Sequence, residues 1–223
     1  DYADAHSNLG HAFKKLGRTE EAIASYREAL AIEPDFYEVQ HNLNSLLGNT
    51  TDTAPREYVE GIFNSYAQNF ENHLVNSLEY LTPSLLKKTL LDLGLVDGNF
   101  EKVIDLGCGT GLAGVEFRDI ADTLVGVDLS ENMVSKAKQK NIYDELYVDD
   151  IIDKIESLNV AFDLYISADV FVYIGELRPL FQCIRKHFNE KSLFIFSTEL
   201  YDKEGYTLRK TGRYAHSKGY IQS

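Results

Sequence analysis

The residues best suited to chemistry lie between positions 103 and 111. Val103-Ile104-Asp105-Leu106-Gly107-Cys108-Gly109-Thr110-Gly111 passes from an apolar run into a turn with glycine at every second position, and a carboxylate stands two residues before the first glycine. Glycine lets a backbone come close to a ligand, and a helix opening after such a turn leaves N–H groups for an anionic group. That chemistry is the holding of a nucleotide or nucleoside. A second carboxylate, Asp128, closes Val125-Gly126-Val127-Asp128, 23 residues after Asp105. At the tip of a neighbouring strand it can accept both hydroxyls of a ribose. Two further acids, Asp149 and Asp150, follow Val148. A dinucleotide site would want glycine where Leu112 stands, and a phosphate-loop enzyme a Gly-Lys-Ser/Thr ending that is absent. Cys108 has no histidine near it in sequence to activate it, so it reads as a small loop residue and not a nucleophile.

These residues need a scaffold, and the pattern around them supplies one. Apolar runs at 102–106, 123–128, 144–148, 162–168 and 192–198 read as strands, with amphipathic helices such as 131–140 and 177–187 between them. Strands alternating with helices mean an α/β domain with a mostly parallel sheet. Ahead of it, helical segments fall around 57–74 and 83–93. The first carries Phe63, Tyr66, Phe70, His73 and Leu74 at helical spacing, an aromatic stripe with one titratable group.

The first 49 residues are built differently. Ala5, Leu9, Ala12, Phe13 and Leu16, then Ala22, Ile23, Tyr26, Ala29 and Leu30, follow helical spacing on either side of Gly17-Arg18-Thr19. Gly17 ends one helix and Thr19 is expected to cap the next. Residues 37–47 repeat the first helix, with Leu43 where Leu9 stood. Residues 50–56 are polar and read as a linker.

Composition narrows the function classes. With 22 Lys and Arg against 35 Asp and Glu, the formal charge is -13. Such a surface repels phosphate backbones, so nucleic acid is a poor partner. Two cysteines cannot make a disulfide framework, no signal segment opens the sequence, and no apolar run approaches membrane-spanning length. The expectation is a cytoplasmic protein that does not enter a membrane. Residues 201–223 depart from the average with five basic side chains, Arg213 among them, against two acids. A basic patch can recruit an anionic acceptor.

Two resemblances follow from these residues. Leu9-Gly10, Phe13, Gly17, Ala22, Tyr26, Ala29 and Pro34 resemble a tetratricopeptide repeat, with His6 in place of the usual Trp. This implies a protein-interaction segment, one unit plus a capping helix over 1–49. The turn from Asp105 to Gly111, with Asp128 and Asp149-Asp150, resembles the class I S-adenosylmethionine-dependent methyltransferases, in the bacterial subgroup that carries such repeats. The resemblance implies a Rossmann-like, doubly wound sheet over 96–223, preceded by lid helices over 57–95. It calls for more strands than five, and with a repeat array that begins at its last unit it implies a protein longer at both ends.

It also implies S-adenosyl-L-methionine as cofactor and S-adenosyl-L-homocysteine as product, with no metal needed. Asp105, Gly107, Cys108, Gly109, Thr110 and Gly111 would hold the methionyl part, Asp105 ordering the turn or the amino group. Asp128, Leu129, Ser130 and Met133 would hold the ribose side. Asp149, Asp150 and Ile151 would meet the adenine, with Asp150 favoured for its amino group, and Ala168 and Asp169 would line the methionyl end. Tyr66, Phe70, Phe171 and Arg213 are expected on the lid or acceptor side, and His73, Tyr173 and His216 are candidate bases. The implied activity is methyl transfer to a small-molecule acceptor, which an anionic molecule would satisfy. The rivals are a repeat-based adaptor whose domain binds the cofactor without turnover, and a nicotinamide-dependent oxidoreductase.

Overall fold

The computed structural model describes residues 2–71, 74 and 80–223. Helices α1 (Tyr2–Lys15), α2 (Thr19–Ile32) and α3 (Tyr37–Leu47) are followed by α4 (Arg56–Tyr66) and α5 (Thr82–Asp92). Strands and helices then alternate: β1 (Phe100–Leu106), α6 (Leu112–Phe117), β2 (Ala121–Asp128), α7 (Glu131–Gln139), β3 (Glu145–Val148), α8 (Ile151–Leu158) and β4 (Leu164–Ser167). After α9 (Arg178–Lys186) come β5 (Leu193–Phe196), β6 (Glu199–Leu200), β7 (Tyr206–Leu208), β8 (Tyr214–His216) and α10 (Lys218–Ile221).

Contacts divide the chain into two compact units whose limits differ from the boundaries read in the sequence. One holds residues 1–59, 172–176 and 199–223, and the other 60–171 and 177–198.

In the first unit, α1 and α2 form a hairpin around Gly10. A Cβ there would stand 2.5 Å from the Tyr26 ring, so only glycine admits the ring, which is fully buried with Ala22 and Ala29. Gly17 takes φ 73° at the turn. Thr19 is not the cap: α2 already includes it, and Arg18 at the cap position makes no side-chain capping bond. Arg18 instead pairs with Glu21 and lies 4.4 Å over the Phe13 ring. Segment 205–217, for which the sequence predicts no strand, is also different. Its β-favouring triplets form β7 and β8, antiparallel to each other, with β6 parallel to β8. Ala54, Leu208 and Tyr214 form a buried cluster in the same unit.

The second unit is a five-stranded, wholly parallel sheet in the order β3-β2-β1-β4-β5. All five expected strands are present. β1 is exposed at Glu101 and Lys102 and buried over its last four residues, as a central strand covered on both faces should be. Val103, Leu124, Leu164 and Ile166 pack against Ala113 and Phe117 of α6 and Leu86 and Leu90 of α5. The strand order reverses beside β1. In open α/β sheets, ligands bind outside the carboxyl ends of the strands at such a switch point, and the β1 end carries the glycine turn. No helix among the described residues is long and apolar enough to cross a membrane.

Candidate active site

The turn after β1 has the conformation its glycines allow. Gly107, Gly109 and Gly111 have φ 76°, 53° and 91°, all in the region that L side chains disfavour. Gly107 also sits against the loop after β4: a Cβ there would stand 2.2 Å from Val170 Cγ2. The two carboxyl ends that flank the switch point are thereby packed together. Gly107 and Cys108 both donate their N–H groups to the Val127 carbonyl, at 2.8 and 2.9 Å. Gly109 donates to Asp128 Oδ2 at 2.8 Å, and Asp128 Oδ1 accepts from Ser130 N at 2.9 Å. Burial pushes the Asp128 carboxyl up, and those two N–H groups oppose it. Phe70 lies over Gly109: among the described residues, a Cβ there would meet Phe70 Cε1 at 3.9 Å, an ordinary van der Waals contact. Cys108 is buried, and burial first, then the Asp128 charge, hold its thiol well above its ordinary value. A thiol so placed is no nucleophile.

Asp105 is fully buried under the turn, and the residue that meets it escaped the sequence reading. Tyr143 donates its hydroxyl to Asp105 Oδ2 at 2.6 Å. Three glycines make the slot for its ring: Cβ atoms at Gly111, Gly114 and Gly126 would stand 3.1, 2.3 and 3.0 Å from Tyr143 atoms. Asp105 Oδ1 has no hydrogen-bond partner among the described residues. Burial raises this carboxyl to about 7, the Asp128 charge adds to the rise, and the Tyr143 hydroxyl opposes it. Asp105 thus fixes the Tyr143 ring, which packs against Gly111 of the turn. The signal in the sequence was the glycine at 114 and at 126, positions where a helix and a strand gain nothing from glycine unless something presses on them.

The acids after β3 take distinct places. Asp149 Oδ1 accepts from Asp150 N at 2.9 Å, and its Oδ2 pairs with Lys154 at 3.0 Å. Asp150 caps α8, accepting from Ile152 N and Asp153 N at 2.8 and 3.3 Å, and Ile151 is buried behind it. After β4, Asp169 adopts φ 59°, rare for a residue other than glycine. Its N–H donates to Ser197 Oγ at 2.8 Å, that hydroxyl returns a bond to Asp169 Oδ1 at 2.9 Å, and Thr82 donates to Oδ2 at 3.1 Å. Strain held in place this way gathers at functional sites. Ala168 precedes it, Leu129 is half-buried, and Met133 is wholly buried in α7.

Residues before the sheet reach the same turn. Ser130 caps α7 and donates to Asn64 Oδ1 at 2.7 Å, while Asn132 Nδ2 donates to the Asn64 carbonyl at 2.9 Å. Lys140 pairs with Glu71 at 2.6 Å. Although burial pushes Glu71 up, the hydrogen bond and charge of Lys140 hold it below its ordinary value. A cavity of about 300 Å³ lies between Gln68, Glu71, Thr110, Lys136 and Lys140. Tyr66 and Phe70 meet edge to face, with ring centres 5.6 Å apart. His73 lies outside the described residues.

Other candidates are placed elsewhere. Phe171 does not shape an open face: it is fully buried among Phe181, Phe194 and Phe196, at 4.9 to 5.9 Å between ring centres. The structure does not bring Tyr173, Arg213 and His216 into the unit that carries the glycine turn. The Tyr173 carbonyl accepts from Ala54 N at 2.9 Å, Arg213 pairs with Glu199 at 2.5 Å, and His216 Nε2 lies 2.9 Å from the Gly175 carbonyl. Burial lowers the His216 pKa. Arg209 also reaches Glu199, at 3.5 Å, so two of the basic side chains of this segment are engaged by an acid.

The model of a methyltransferase domain family matches residues 98–212, just over half of the chain and all of the turn just described. The chain belongs to this family. The tetratricopeptide repeat model matches residues 3–36, the hairpin of α1 and α2. No curated protein sequence matches the chain. Among solved structures, DhpI in complex with SAH shares 16% identity at a TM-score of 0.57, over 75% of this chain and 83% of that one. Magnesium protoporphyrin IX methyltransferase from Synechocystis PCC 6803, with bound SAM, shares 18% at 0.54, over 74% and 81%. A SAM-dependent methyltransferase from Leishmania major shares 11% at 0.60, over 82% and 78%. At these identities the likeness is one of fold. The methyltransferase domain of this chain therefore has a Rossmann-like parallel sheet behind a tetratricopeptide segment.

Proposed function

We propose that the methyltransferase domain binds S-adenosylmethionine at the switch point and transfers its methyl group to a small-molecule acceptor, while the tetratricopeptide segment engages a protein partner. The observation that carries this reading is the glycine turn at the carboxyl end of β1, where the strand order reverses and Asp128 takes the N–H groups of Gly109 and Ser130. Two of the structural neighbours, DhpI and the magnesium protoporphyrin IX enzyme, were solved with SAH and with SAM.

The residues present suit that cofactor. When bound, it supplies an electrophilic sulfonium methyl group. The turn from Gly107 to Gly111 offers backbone to the methionyl part, held rigid by Asp105 and Tyr143 beneath it. Each Asp128 oxygen takes one backbone N–H and keeps a lone pair for a ribose hydroxyl. Asp149 and Asp150 stand beyond β3 for the adenine, with Asp150 committed on one oxygen to its capping role. Ala168 and the strained Asp169 bound the methionyl side from the β4 end. Tyr66 and Phe70 exclude water above the turn, which strengthens positioning of the methyl group against a nucleophile.

Calorimetry of the full chain with S-adenosylmethionine and S-adenosylhomocysteine tests the first step. Saturable binding that Asp128→Ala weakens about ten- to hundredfold is expected, in line with hydrogen bonds to a charged group; no heat with either ligand would end the proposal. Incubation with methyl-labelled cofactor and fractionated metabolites then tests transfer and finds the acceptor.

A further inference from the structure

Glu156 of α8, Cys183 of α9 and His187, which follows α9, form a cluster that methyl transfer does not use. One carboxylate oxygen, the Cys183 Sγ and one imidazole nitrogen all lie within 4.8 Å of one another. Cys183 and His187 are four residues apart, a spacing that puts both on one face of a helix.

The imidazole is already set as a ligand. Its Nδ1 lies 2.9 Å from the Cys183 carbonyl oxygen, a contact that requires the proton on Nδ1 and leaves the lone pair on Nε2. That Nε2 makes no hydrogen bond among the described residues, although the side chain is only 5% exposed. The nearest carboxylate oxygen, Glu156 Oε2, is 4.0 Å away. Leaving a buried polar atom unpaired is costly. A cation between Nε2, Sγ and the carboxylate would satisfy it.

We propose that Glu156, Cys183 and His187 bind one divalent transition-metal ion of the zinc type, which joins α8 to α9. Thiolate, imidazole and carboxylate together form a donor set suited to zinc, and three protein ligands leave a fourth position for water. Tetrahedral coordination at about 2.0 to 2.3 Å puts ligand atoms about 3.3 to 3.7 Å apart. The cluster needs only a small closure to reach this, and Glu156, whose side chain is 43% exposed, can turn to provide it. The same exposure gives the ion a path in. Lys186 shares Glu156 Oε2 at 2.6 Å, but an exposed ion pair is a weak competitor. As the ion binds, the Sγ–H bond breaks, the sulfur keeps the electron pair for the metal, and the proton passes to solvent.

The site is independent of the methyltransferase reading, and its test does not require turnover. The full chain, stripped with a chelator, is titrated with cobalt(II), whose thiolate complexes absorb in the near ultraviolet, and zinc is then added in competition. The expected result is a thiolate-to-cobalt band at one equivalent that zinc abolishes. The band should be lost in Cys183→Ser, kept in Cys108→Ser, and need about a hundredfold more cobalt in His187→Gln and at least tenfold more in Glu156→Gln. Zinc should raise the melting temperature of the unaltered chain and not that of His187→Gln. Absence of the band from the unaltered chain overturns the proposal. So does a band that Cys183→Ser retains, or an affinity for cobalt unchanged in both Glu156→Gln and His187→Gln, variants that decide the matter should Cys183→Ser fail to fold.

Discussion

The two units bury ionisable groups to opposite effect. In the sheet unit, buried carboxyls are pushed up: Asp105 to about 7 and Asp128 in the same direction, both mainly by burial. In the unit that carries the repeat, buried histidines are pushed down: His41 and His216, again mainly by burial, with the carbonyls of Gly212 and Gly175 opposing. The opposite directions have one cause, since burial favours the neutral form of an acid and of a base alike; what differs is how these groups are held. His216 is held by the Gly175 carbonyl and stacks on Tyr220 at 5.8 Å, so its polar edge completes the fold. Asp105 keeps one oxygen without a partner, beneath a backbone forced open by glycine. Among the described residues, unpaired buried polar atoms occur in both units, Tyr26 Oη and His41 Nδ1 in one and Asp105 Oδ1 in the other, but that of Asp105 lies beside the glycine turn at the switch point.

The severest test of that contrast is a single methyl group. Gly107→Ala puts a Cβ 2.2 Å from Val170 Cγ2 at φ 76°. Left-handed strain and overpacking each cost about 1 to 3 kcal/mol. Both act here on a turn pinned at three N–H groups, so the expected loss is about 2 to 6 kcal/mol in urea unfolding, together with loss of cofactor binding. Gly61→Ala, in α4 with nothing within 4 Å of its Cβ and ordinary φ, should instead be neutral or stabilising by up to about 1 kcal/mol. Equal effects at both positions would show that the turn is not strained.

Much of this was legible from residue order because each level of the pattern agreed. Five apolar runs predicted five strands, and glycines with an acid two places before them predicted the turn. Gly10, Ala22, Tyr26 and Ala29 marked a close-packed hairpin. Other features depend on residues distant in sequence, and were not legible. Tyr143 acquires its place from glycines on a turn, a helix and a strand. Phe171 looked available beside the predicted site, but three phenylalanines from α9 and β5 close over it. Strands β7 and β8 are only three residues long, interrupted by Arg209, Lys210 and Arg213, and their pairing, not their period, makes them strands.

The second prediction uses pH. A carboxyl raised from 3.8 to about 7 in the fold favours the protonated form. Its stabilising effect is therefore complete below pH 3.8 and is lost as pH rises through about 7, on the order of 4 kcal/mol in all. Asp105→Asn keeps an acceptor for Tyr143 and removes the charge. Urea unfolding of the sheet unit, followed by amide exchange in β1 and β2, should show that slope in the parent and a much flatter one in the variant. A parent without the slope would refute the burial effect.

The repeat-bearing unit should respond in the other direction, and more weakly. His41 and His216 have pKa values below 6.5 in the fold, so the stability they contribute is present above pH 6.5 and lost as pH falls below it. Amide exchange in α3 and β8 should accelerate on acidification from pH 7 to 5, while exchange in β1 slows once corrected for intrinsic rates. Parallel behaviour in both units would remove the distinction between them.

The smallest effect concerns Arg213, and it separates a role in the fold from a role in recognition. Its pair with Glu199 joins side chains 40% and 29% exposed, and pairs of this kind contribute under about 1 kcal/mol. If that pairing is its task, Arg213→Ala and Glu199→Gln should each lower the melting temperature slightly and by similar amounts. Neither should change KM for the acceptor once that molecule is in hand. Contact with an anionic acceptor would instead make the two variants diverge: Arg213→Ala would raise KM about tenfold or more for the loss of a charge-assisted bond, and Glu199→Gln, by freeing the guanidinium, would lower it. Divergence would give this segment the recognition role suggested by its charge, and parallel small losses would leave that role to the cavity beside Thr110.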